Sequence, residues 1–271
     1  MSSKILEQNL WFFSGDKRAA GVLHAPDNAD DQIPGVLMCH GFTGNRMEQR
    51  YIFVRLARKL AEAGIGCLRF DYRGCGESEG LFKDHSVPDY IRDAQNALQI
   101  LRNAPGIDEK HIGLLGYSLG GCVAAETSSR ERGIKTVVLW SPVAHPEKLL
   151  DKKVEKDKIQ SLISSRKKEK KFIEHDGWAI GKDFITTLGR LKPVERLSGF
   201  SGPVLLCHGM QDMVVEPEHS SSFMKARQRA GKPVKTLFLE NSGHGYKPLL
   251  EDEKLLKTTV NWFQKNLLQE R

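Results

Sequence analysis

The chain has 271 residues, of which 39% are hydrophobic and 28% charged, and this composition provides a core and excludes disordered and fibrous classes. Lys and Arg outnumber Asp and Glu by 41 to 34, which gives a net charge of +7. No stretch approaches the roughly 20 apolar residues of a membrane-spanning helix, and the first residues lack the apolar core of a signal peptide, so we expect a cytoplasmic protein without membrane insertion.

The positive charge is concentrated in one segment, residues 148–171, which holds ten Lys and Arg against four Asp and Glu. Such a run is more often a solvated helix face than a binding surface for anions, so it does not predict a nucleic-acid partner. The five cysteines are scattered and contain no Cys-x-x-Cys pair, so neither a disulfide framework nor a zinc site is predicted.

Short apolar runs alternate with amphipathic helical patterns along most of the chain. Two N-terminal runs, residues 10–13 and 19–24, predict a hairpin at one edge of a sheet. Further strands are predicted at residues 34–40, 65–70, 111–115, 136–140, 203–208 and 234–239, and helices at residues 49–64, 88–103, 118–130, 217–230 and 251–268. Uninterrupted apolar strands between such helices indicate an α/β fold with a mostly parallel sheet covered on both faces.

This alternation breaks at residues 142–202, where no strand is predicted. We interpret residues 143–202 as a helical insertion after the fourth parallel strand, within a single domain that spans residues 1–271. The second half of the insertion is rich in aromatic and apolar side chains, and Trp178 and Phe184 are candidates to line a substrate pocket. The alternative is that such side chains only dock the insertion on the body, which the helical spacing of some of them favours.

The strongest local motif is Gly116-Tyr117-Ser118-Leu119-Gly120, between a predicted strand and a predicted helix. A strand that turns sharply into a helix presents the serine hydroxyl at the carboxyl edge of the sheet, in a strained backbone conformation. Glycines two residues before and after the serine leave room for the neighbouring backbone. Ser118 is therefore predicted to be a nucleophile; the alternative is a glycine-rich turn with an incidental serine.

A nucleophilic serine needs a base, and the base needs an acid that orients it. In this fold class these residues follow the serine in the order acid, then histidine, on loops after later strands. Asp212 and His244 occupy such positions, after the strands at residues 203–208 and 234–239. The rival base is His208, which is better placed to hold its loop by hydrogen bonding, and the rival acids are Glu216 and Glu240.

The first parallel strand ends in His40-Gly41-Phe42-Thr43-Gly44. A tight turn here places the backbone N–H of Phe42 opposite that of Leu119, and two such donors can bind the oxyanion that forms during acyl transfer. The run matches neither pattern of a glycine-rich phosphate loop. A turn without any role in binding is the alternative.

Together these motifs resemble the α/β-hydrolase family, to which residues 69–78 add a further matching run. Within it, residues 40–46 and the mid-chain insertion resemble the cinnamoyl/feruloyl esterase-type carboxylesterases. The resemblance implies an α/β-hydrolase fold in which the insertion is a lid over the acyl pocket. It also implies roles for five residues: nucleophile Ser118, base His244, acid Asp212, and the oxyanion donors Phe42 and Leu119.

We therefore expect a serine carboxylesterase that acts on short-chain or aromatic, hydroxycinnamate-type acyl esters through an acyl-enzyme intermediate. No cofactor and no metal are expected; the partner is a small-molecule ester, and a homodimer is left open. An acyltransferase or thioesterase would use the same triad. A prolyl-oligopeptidase-type serine peptidase would usually carry a large gating domain, and a non-catalytic binding protein would usually lack one of the three residues.

Overall fold

The computed structural model describes residues 5–27, 32–148, 156–164 and 172–268. Its strands are β1 (Ile5–Ser14), β2 (Lys17–Pro26), β3 (Ile33–Cys39), β4 (Gly66–Phe70), β5 (Ile107–Tyr117), β6 (Ile134–Trp140), β7 (Phe172–His175), β8 (Trp178–Gly181), β9 (Val204–Gly209) and β10 (Val234–Leu239). Its helices are α1 (Ile52–Glu62), α2 (Val87–Arg102), α3 (Leu119–Ser128), α4 (Lys156–Ser164), α5 (Lys182–Leu188), α6 (Pro193–Gly199), α7 (Glu218–Arg229) and α8 (Leu249–Leu267).

Eight of these strands form one sheet in the order β1-β2-β4-β3-β5-β6-β9-β10. The pairs β1–β2 and β2–β4 are antiparallel, and every other pair is parallel. The predicted mostly parallel sheet, with a hairpin at one edge, is therefore confirmed. Because the carboxyl ends of β3, β5, β9 and β10 point the same way, the loops that follow these four strands meet at one edge of the sheet.

Helices cover both faces of the sheet. Successive side chains of a strand point to opposite faces, and accordingly Leu37 of β3 lies in the core with α2 and α3, whereas Met38 lies in the core with α1 and α8. All seven residues of β3 and all five of β4 are buried, which explains the apolar sequence of β3. In β4 the one charged side chain, Arg69, is buried and donates to the imidazole of His24 at 2.8 Å. Among the described residues, no helix has both the length and the apolar character needed to cross a membrane.

The insertion after β6 is not helical throughout, and the prediction that residues 142–202 contain no strand is wrong. Strands β7 and β8 pair antiparallel into a separate two-stranded sheet. They are joined by Asp176 and Gly177, whose φ angles are 47° and 78°. Two central residues with positive φ characterise the tight hairpin turn for which Asp-Gly is a preferred sequence. The strands were missed because each has four residues, too few to show an alternating pattern.

The β7–β8 hairpin packs directly on the body of the protein. Ile173 and Ile180 are buried in the same apolar core as α2 and α3. A Cβ on Gly181 would lie 1.9 Å from the Lys83 carbonyl oxygen, so glycine is required at this close approach. The larger part of the basic segment predicted as a helix face, residues 149–155 and 165–171, lies outside the described residues. The single-domain interpretation of residues 1–271 stays a prediction.

Candidate active site

Ser118 lies at the sharp turn from β5 into α3. Its backbone has φ 57° and ψ −120°, a conformation that is strained for a residue with a side chain. The turn brings backbone atoms so close that a Cβ on Gly116 would lie 2.3 Å from the Gly120 carbonyl oxygen, and a Cβ on Gly120 would lie 2.1 Å from the Cys39 carbonyl oxygen. The spacing of the two glycines around the serine is thus a steric requirement of this turn.

The structure brings Ser118, His244 and Asp212 together in one chain of hydrogen bonds. The imidazole Nε2 of His244 lies 3.0 Å from the Ser118 Oγ, and Nδ1 lies 2.7 Å from Oδ2 of Asp212. Because a carboxylate only accepts hydrogen bonds, Nδ1 carries the proton and donates to Asp212. Nε2 is then an acceptor, and the serine hydroxyl donates to it. This is the arrangement in which an imidazole can remove the serine proton.

Asp212 is buried and held in its ionised form. Its Oδ1 accepts the backbone N–H groups of Val214 and Val215, both at 2.9 Å. Burial by itself raises the pKa of this carboxyl, but hydrogen bonds from His208 and His244 outweigh it and lower the pKa well below the ordinary value. The carboxylate therefore stays charged across the physiological range, beside an imidazole that becomes positive when it takes up a proton.

The rival base His208 contacts the acid rather than the serine, since its Nε2 lies 3.4 Å from Oδ2 of Asp212. It is fully buried, its Nε2 donates to the Val215 carbonyl oxygen at 2.8 Å, and its Nδ1 accepts the Ser220 hydroxyl at 2.6 Å. It thus holds the loop that carries Asp212, as expected from its position at the end of the strand. Glu216 and Glu240, the rival acids, do not take the place at Nδ1 of His244, which Asp212 occupies.

A tyrosine that the sequence analysis did not single out holds the His244 loop. The Tyr117 hydroxyl donates to the backbone carbonyl of His244 at 2.8 Å, and the tyrosine ring stacks on the imidazole with 5.0 Å between centroids. Farther along the loop, Tyr246 contacts the Ser141 hydroxyl at 2.8 Å. Only the place of Tyr117 beside the nucleophile could have drawn attention to it, because the motif leaves that position open.

Residues 40–44, here called the oxyanion loop, pass directly beside Ser118. The carbonyl oxygen of Gly41 accepts the Gly44 N–H at 3.2 Å and the His40 Nδ1–H at 2.9 Å. Burial lowers the pKa of His40 to about 4, so the ring is neutral and can donate from Nδ1. In a planar trans peptide the C=O and N–H point in opposite directions, so the Phe42 N–H points away from these donors.

The second expected donor, the Leu119 N–H, belongs to the first residue of α3. The first N–H groups of a helix have no partner within the helix and carry the positive end of its dipole. A Cβ on Gly41 would lie 3.2 Å from the Ser118 Cβ, which shows how closely the oxyanion loop approaches the serine. Both peptides expected to bind an oxyanion therefore border Ser118.

A cavity of about 470 Å³ opens at Ser118 and His244. The oxyanion loop and the residues after it line one side of this cavity, and the β7–β8 hairpin lines another with His175, Asp176 and Trp178. Small-molecule sites typically have volumes of about 300 to 1,000 Å³. The hairpin thus contributes side chains to the space into which the serine hydroxyl opens.

The two side chains of the insertion predicted to line the pocket differ in position. Trp178 lines the cavity, is 37% exposed, and packs against Phe82 with 5.4 Å between ring centroids. Phe184 is instead 1% exposed and packs beneath the cavity, on the rings of Phe42 and Phe82 at 5.5 and 5.4 Å. The prediction that Phe184 lines the pocket is wrong, because this position of α5 faces the core.

Sequence comparisons place these observations among known proteins. A family model described as "Serine aminopeptidase, S33" matches residues 34–245. The chain is 26% identical over 269 residues to an "Uncharacterized 31.7 kDa protein in traX-finO intergenic region" of Escherichia coli, covering 86% of this chain and 91% of the relative. It is 32% identical over 111 residues to "Thiohydrolase aneE" of Aspergillus aculeatus, covering 41% of this chain and 34% of that protein.

Among solved structures, Est1E from Butyrivibrio proteoclasticus with ferulic acid bound is similar, with a TM-score of 0.81 and 21% sequence identity. The likeness covers 96% of this chain and 99% of that one. At this level of identity, the likeness shows a common fold.

Proposed function

Because the chain belongs to the α/β-hydrolase family, in the group described as serine aminopeptidase S33, we propose that it is a serine esterase that hydrolyses carboxylic esters of short-chain or aromatic acids. The observation that carries this proposal is the hydrogen-bond chain from Ser118 Oγ through His244 to Asp212, with distances of 3.0 and 2.7 Å. This chain lies at the cavity, so a bound ester would meet the serine hydroxyl directly.

In the first half of the proposed reaction, the Ser118 Oγ attacks the ester carbonyl carbon while its proton passes to Nε2 of His244. The carbonyl oxygen becomes negative and accepts the N–H groups of Phe42 and Leu119. Loss of one such donor typically lowers the rate by about 10² to 10³. The tetrahedral intermediate then expels the alcohol, which takes the proton from Nε2 as the ester bond breaks, and the acyl group stays on Ser118.

In the second half, water takes the place of the alcohol. His244 removes a proton from the water as its oxygen attacks the acyl carbon, the same two N–H groups bind the oxyanion, and Ser118 leaves with the proton returned from His244. Asp212 stays ionised throughout. Its charge stabilises the imidazolium that forms in each half, and its hydrogen bond keeps Nε2 directed at the serine.

The cavity supports a small or aromatic acyl group. The rings of Trp178 and Phe42 offer flat apolar faces, while Asn45, His175 and Asp176 place polar groups in the same space. This mixture suits an aromatic ring that carries a hydroxyl group, because the ring packs on the aromatic faces and the hydroxyl finds hydrogen-bond partners. The ferulic acid bound to the similar structure Est1E supports the same substrate class.

Thioester hydrolysis is the second candidate, because one relative is named a thiohydrolase. The same attack on an acyl carbon would apply, with a thiolate as the leaving group. The residues of the candidate site suit an ester or a thioester, so the substrate panel below includes both.

The test is a substrate panel applied to the wild type and to Ser118→Ala. The panel contains p-nitrophenyl acetate, butyrate and decanoate, methyl ferulate and methyl p-coumarate, an acyl thioester and an aminoacyl p-nitroanilide. We expect the highest kcat/KM on the short or hydroxycinnamate esters, and a loss of about 10⁴ to 10⁶ in Ser118→Ala. A preference for decanoate would contradict the proposed acyl class, and a preference for the thioester or the anilide would contradict the esterase activity. A Ser118→Ala variant with near-normal turnover would contradict the nucleophile.

A further inference from the structure

We propose that Glu48 is a positioning residue of this site, which fixes the oxyanion loop by holding the Gly41 N–H with its carboxylate. The inference rests on the proposed serine hydrolase function. Glu48 lies outside every motif of the sequence analysis, between the oxyanion loop and α1, and its role follows from the contacts of its side chain.

The Glu48 carboxylate lies beneath the oxyanion loop. Its Oε1 accepts the Gly41 N–H at 2.6 Å, and the residue lines the same cavity as Ser118. A Cβ on Gly44 would lie only 2.7 Å from this oxygen, so the carboxylate fills the space under the turn. A Cβ on Gly41 would lie 3.4 Å from Oε1 and 3.2 Å from the Ser118 Cβ, which puts Gly41 between the two side chains.

With this contact, both peptides of Gly41 are held in place. Glu48 holds the N–H of the peptide that precedes Gly41, while His40 and Gly44 hold the carbonyl oxygen of the peptide that follows it. The second of these peptides carries the Phe42 N–H. Glycine has wide backbone freedom, so a single restrained peptide would leave the other free to rotate. The Glu48 contact therefore removes the remaining freedom that could turn the Phe42 N–H away from an oxyanion.

The backbone around Glu48 is strained in a way that serves this contact. Positive φ angles occur at Glu48, Arg50 and Tyr51, at 58°, 50° and 57°. Non-glycine residues keep such conformations only where the surrounding structure holds them. Here Arg50 donates to the Tyr246 carbonyl oxygen at 2.8 Å, which ties the segment to the loop that carries His244. The strained segment directs the Glu48 side chain inward rather than toward solvent.

The charge on Glu48 changes near neutral pH. Burial raises the pKa of this carboxyl to about 7, although hydrogen bonds from the Gly41 and Gln49 N–H groups act in the opposite direction. The titratable or charged groups around it are Tyr117, His244, His175 and Asp176 along the cavity, His40 beside Gly44, and Arg50 on its own segment. An ionised carboxylate accepts a hydrogen bond roughly twice as strong as a neutral group does, so protonation loosens the loop.

The test compares Glu48→Ala and Glu48→Gln with the wild type. Alanine removes the acceptor, so we expect kcat to fall about 10- to 100-fold with little change in KM, because the oxyanion forms only in the transition state. Glutamine keeps an acceptor oxygen, so the fall in kcat in Glu48→Gln should be at most half of that in Glu48→Ala on a logarithmic scale. The exposed carboxylate of Glu62 on α1 provides the matched control, Glu62→Gln, which leaves kcat and its pH profile unchanged.

The pH profile of kcat/KM separates positioning from a general structural role. In the wild type, Glu48 changes its charge near neutral pH, so its protonation should add to the loss of activity on the acidic limb of the profile. Glu48→Gln lacks this group, so its acidic limb should be less steep than that of the wild type. Equal slopes in the two proteins, or a Glu48→Ala variant within twofold of the wild-type kcat, would overturn the inference.

The rate at which a fluorophosphonate labels Ser118 gives a readout that does not depend on the substrate class, since its phosphoryl oxygen enters the same pair of donors. We expect slower labelling in Glu48→Ala and partial recovery in Glu48→Gln. If the wild type is labelled and Glu48→Ala is labelled at the same rate, only the role of Glu48 is contradicted. A wild type that neither labels nor hydrolyses any member of the panel would contradict the proposed function, and this inference with it.

Discussion

The Tyr117 hydroxyl donates a hydrogen bond to the backbone carbonyl of His244 at 2.8 Å, and its ring stacks on the imidazole. The residue next to the proposed nucleophile thus holds the loop that carries the proposed base. The end of β5 is thus joined to a loop 127 residues farther along the chain, close to the contact between Ser118 Oγ and His244 Nε2. The separation between serine and imidazole therefore depends on a tyrosine that contacts both the ring and the backbone of His244.

Replacing Tyr117 with phenylalanine removes this hydrogen bond and keeps the stacked ring. A net hydrogen bond contributes about 1 kcal/mol, so we expect kcat to fall about 3- to 10-fold while KM changes little. Steady-state kinetics on the best ester of the panel would measure this. Tyr51→Phe is the matched control. Tyr51 is 64% exposed, so removal of its hydroxyl group should leave kcat unchanged. An unaltered kcat in Tyr117→Phe would show that the loop holds His244 without it.

Replacing Asp212 with asparagine keeps an acceptor for the Val214 and Val215 N–H groups, and so keeps the loop. It removes the charge that stabilises the imidazolium and favours the wrong tautomer of His244. By comparison with other triads, we expect kcat to fall about 10⁴-fold. Thermal unfolding of the same variant would show whether the fold is retained. Activity above one-tenth of the wild type would mean that another carboxylate, such as Glu216 or Glu240, orients the histidine.

Replacing Trp178 with alanine removes an aromatic face of the cavity. Aromatic pairs contribute about 0.5 to 1.5 kcal/mol beyond their buried area, so kcat/KM for methyl ferulate should fall about tenfold, and that for p-nitrophenyl acetate much less. Phe172→Ala is the matched control: Phe172 is 42% exposed, begins the same hairpin and is not one of the cavity residues. Equal losses on both esters would place the acyl group away from Trp178.

The raised pKa of Glu48 predicts a pH-dependent stability. The carboxyl has an ordinary pKa of 4.5 in the unfolded chain and about 7 in the folded protein, so the folded state binds more protons between these values. Stability is therefore lost as pH rises from about 4.5 to 7. Glu48→Gln removes this loss, and its Tm should exceed that of the wild type by a few degrees at pH 8. The Tm difference should shrink as pH falls to 4; a constant difference would contradict the shift.

Much of the main sheet could be predicted from the sequence because its central strands are buried on both faces. Strand β3, for example, is buried throughout and differs from its prediction by one residue at each end. The edge strand β10 has the predicted bounds of residues 234–239, although only its last residue is buried. The parallel arrangement then brings Ser118, Asp212 and His244 to one edge, since each follows the carboxyl end of a strand. Their proximity is a consequence of topology, which local patterns determine well.

The features that could not be predicted depend on three-dimensional packing. Glu48 looks like an ordinary surface carboxylate in the sequence, and only the strained backbone turns its side chain under the oxyanion loop. Phe184 fits an apolar helical spacing but gives no sign of whether the cavity or the core lies beside it. The β7–β8 hairpin did carry one local signal, the Asp176-Gly177 pair at its turn. Its strands are too short to show the alternating pattern that would have completed the prediction of a hairpin.

The β7–β8 hairpin also separates the residues that line the cavity from the residues proposed to carry out the reaction. It contributes His175, Asp176 and Trp178 to the cavity, whereas the proposed reacting groups all come from loops of the main sheet. If the proposed esterase function holds, changes at the hairpin tip should alter which acyl group is accepted while the hydrogen-bond chain from serine to aspartate stays intact. The hairpin is therefore the place at which acyl selectivity could be redesigned without touching the proposed reacting groups.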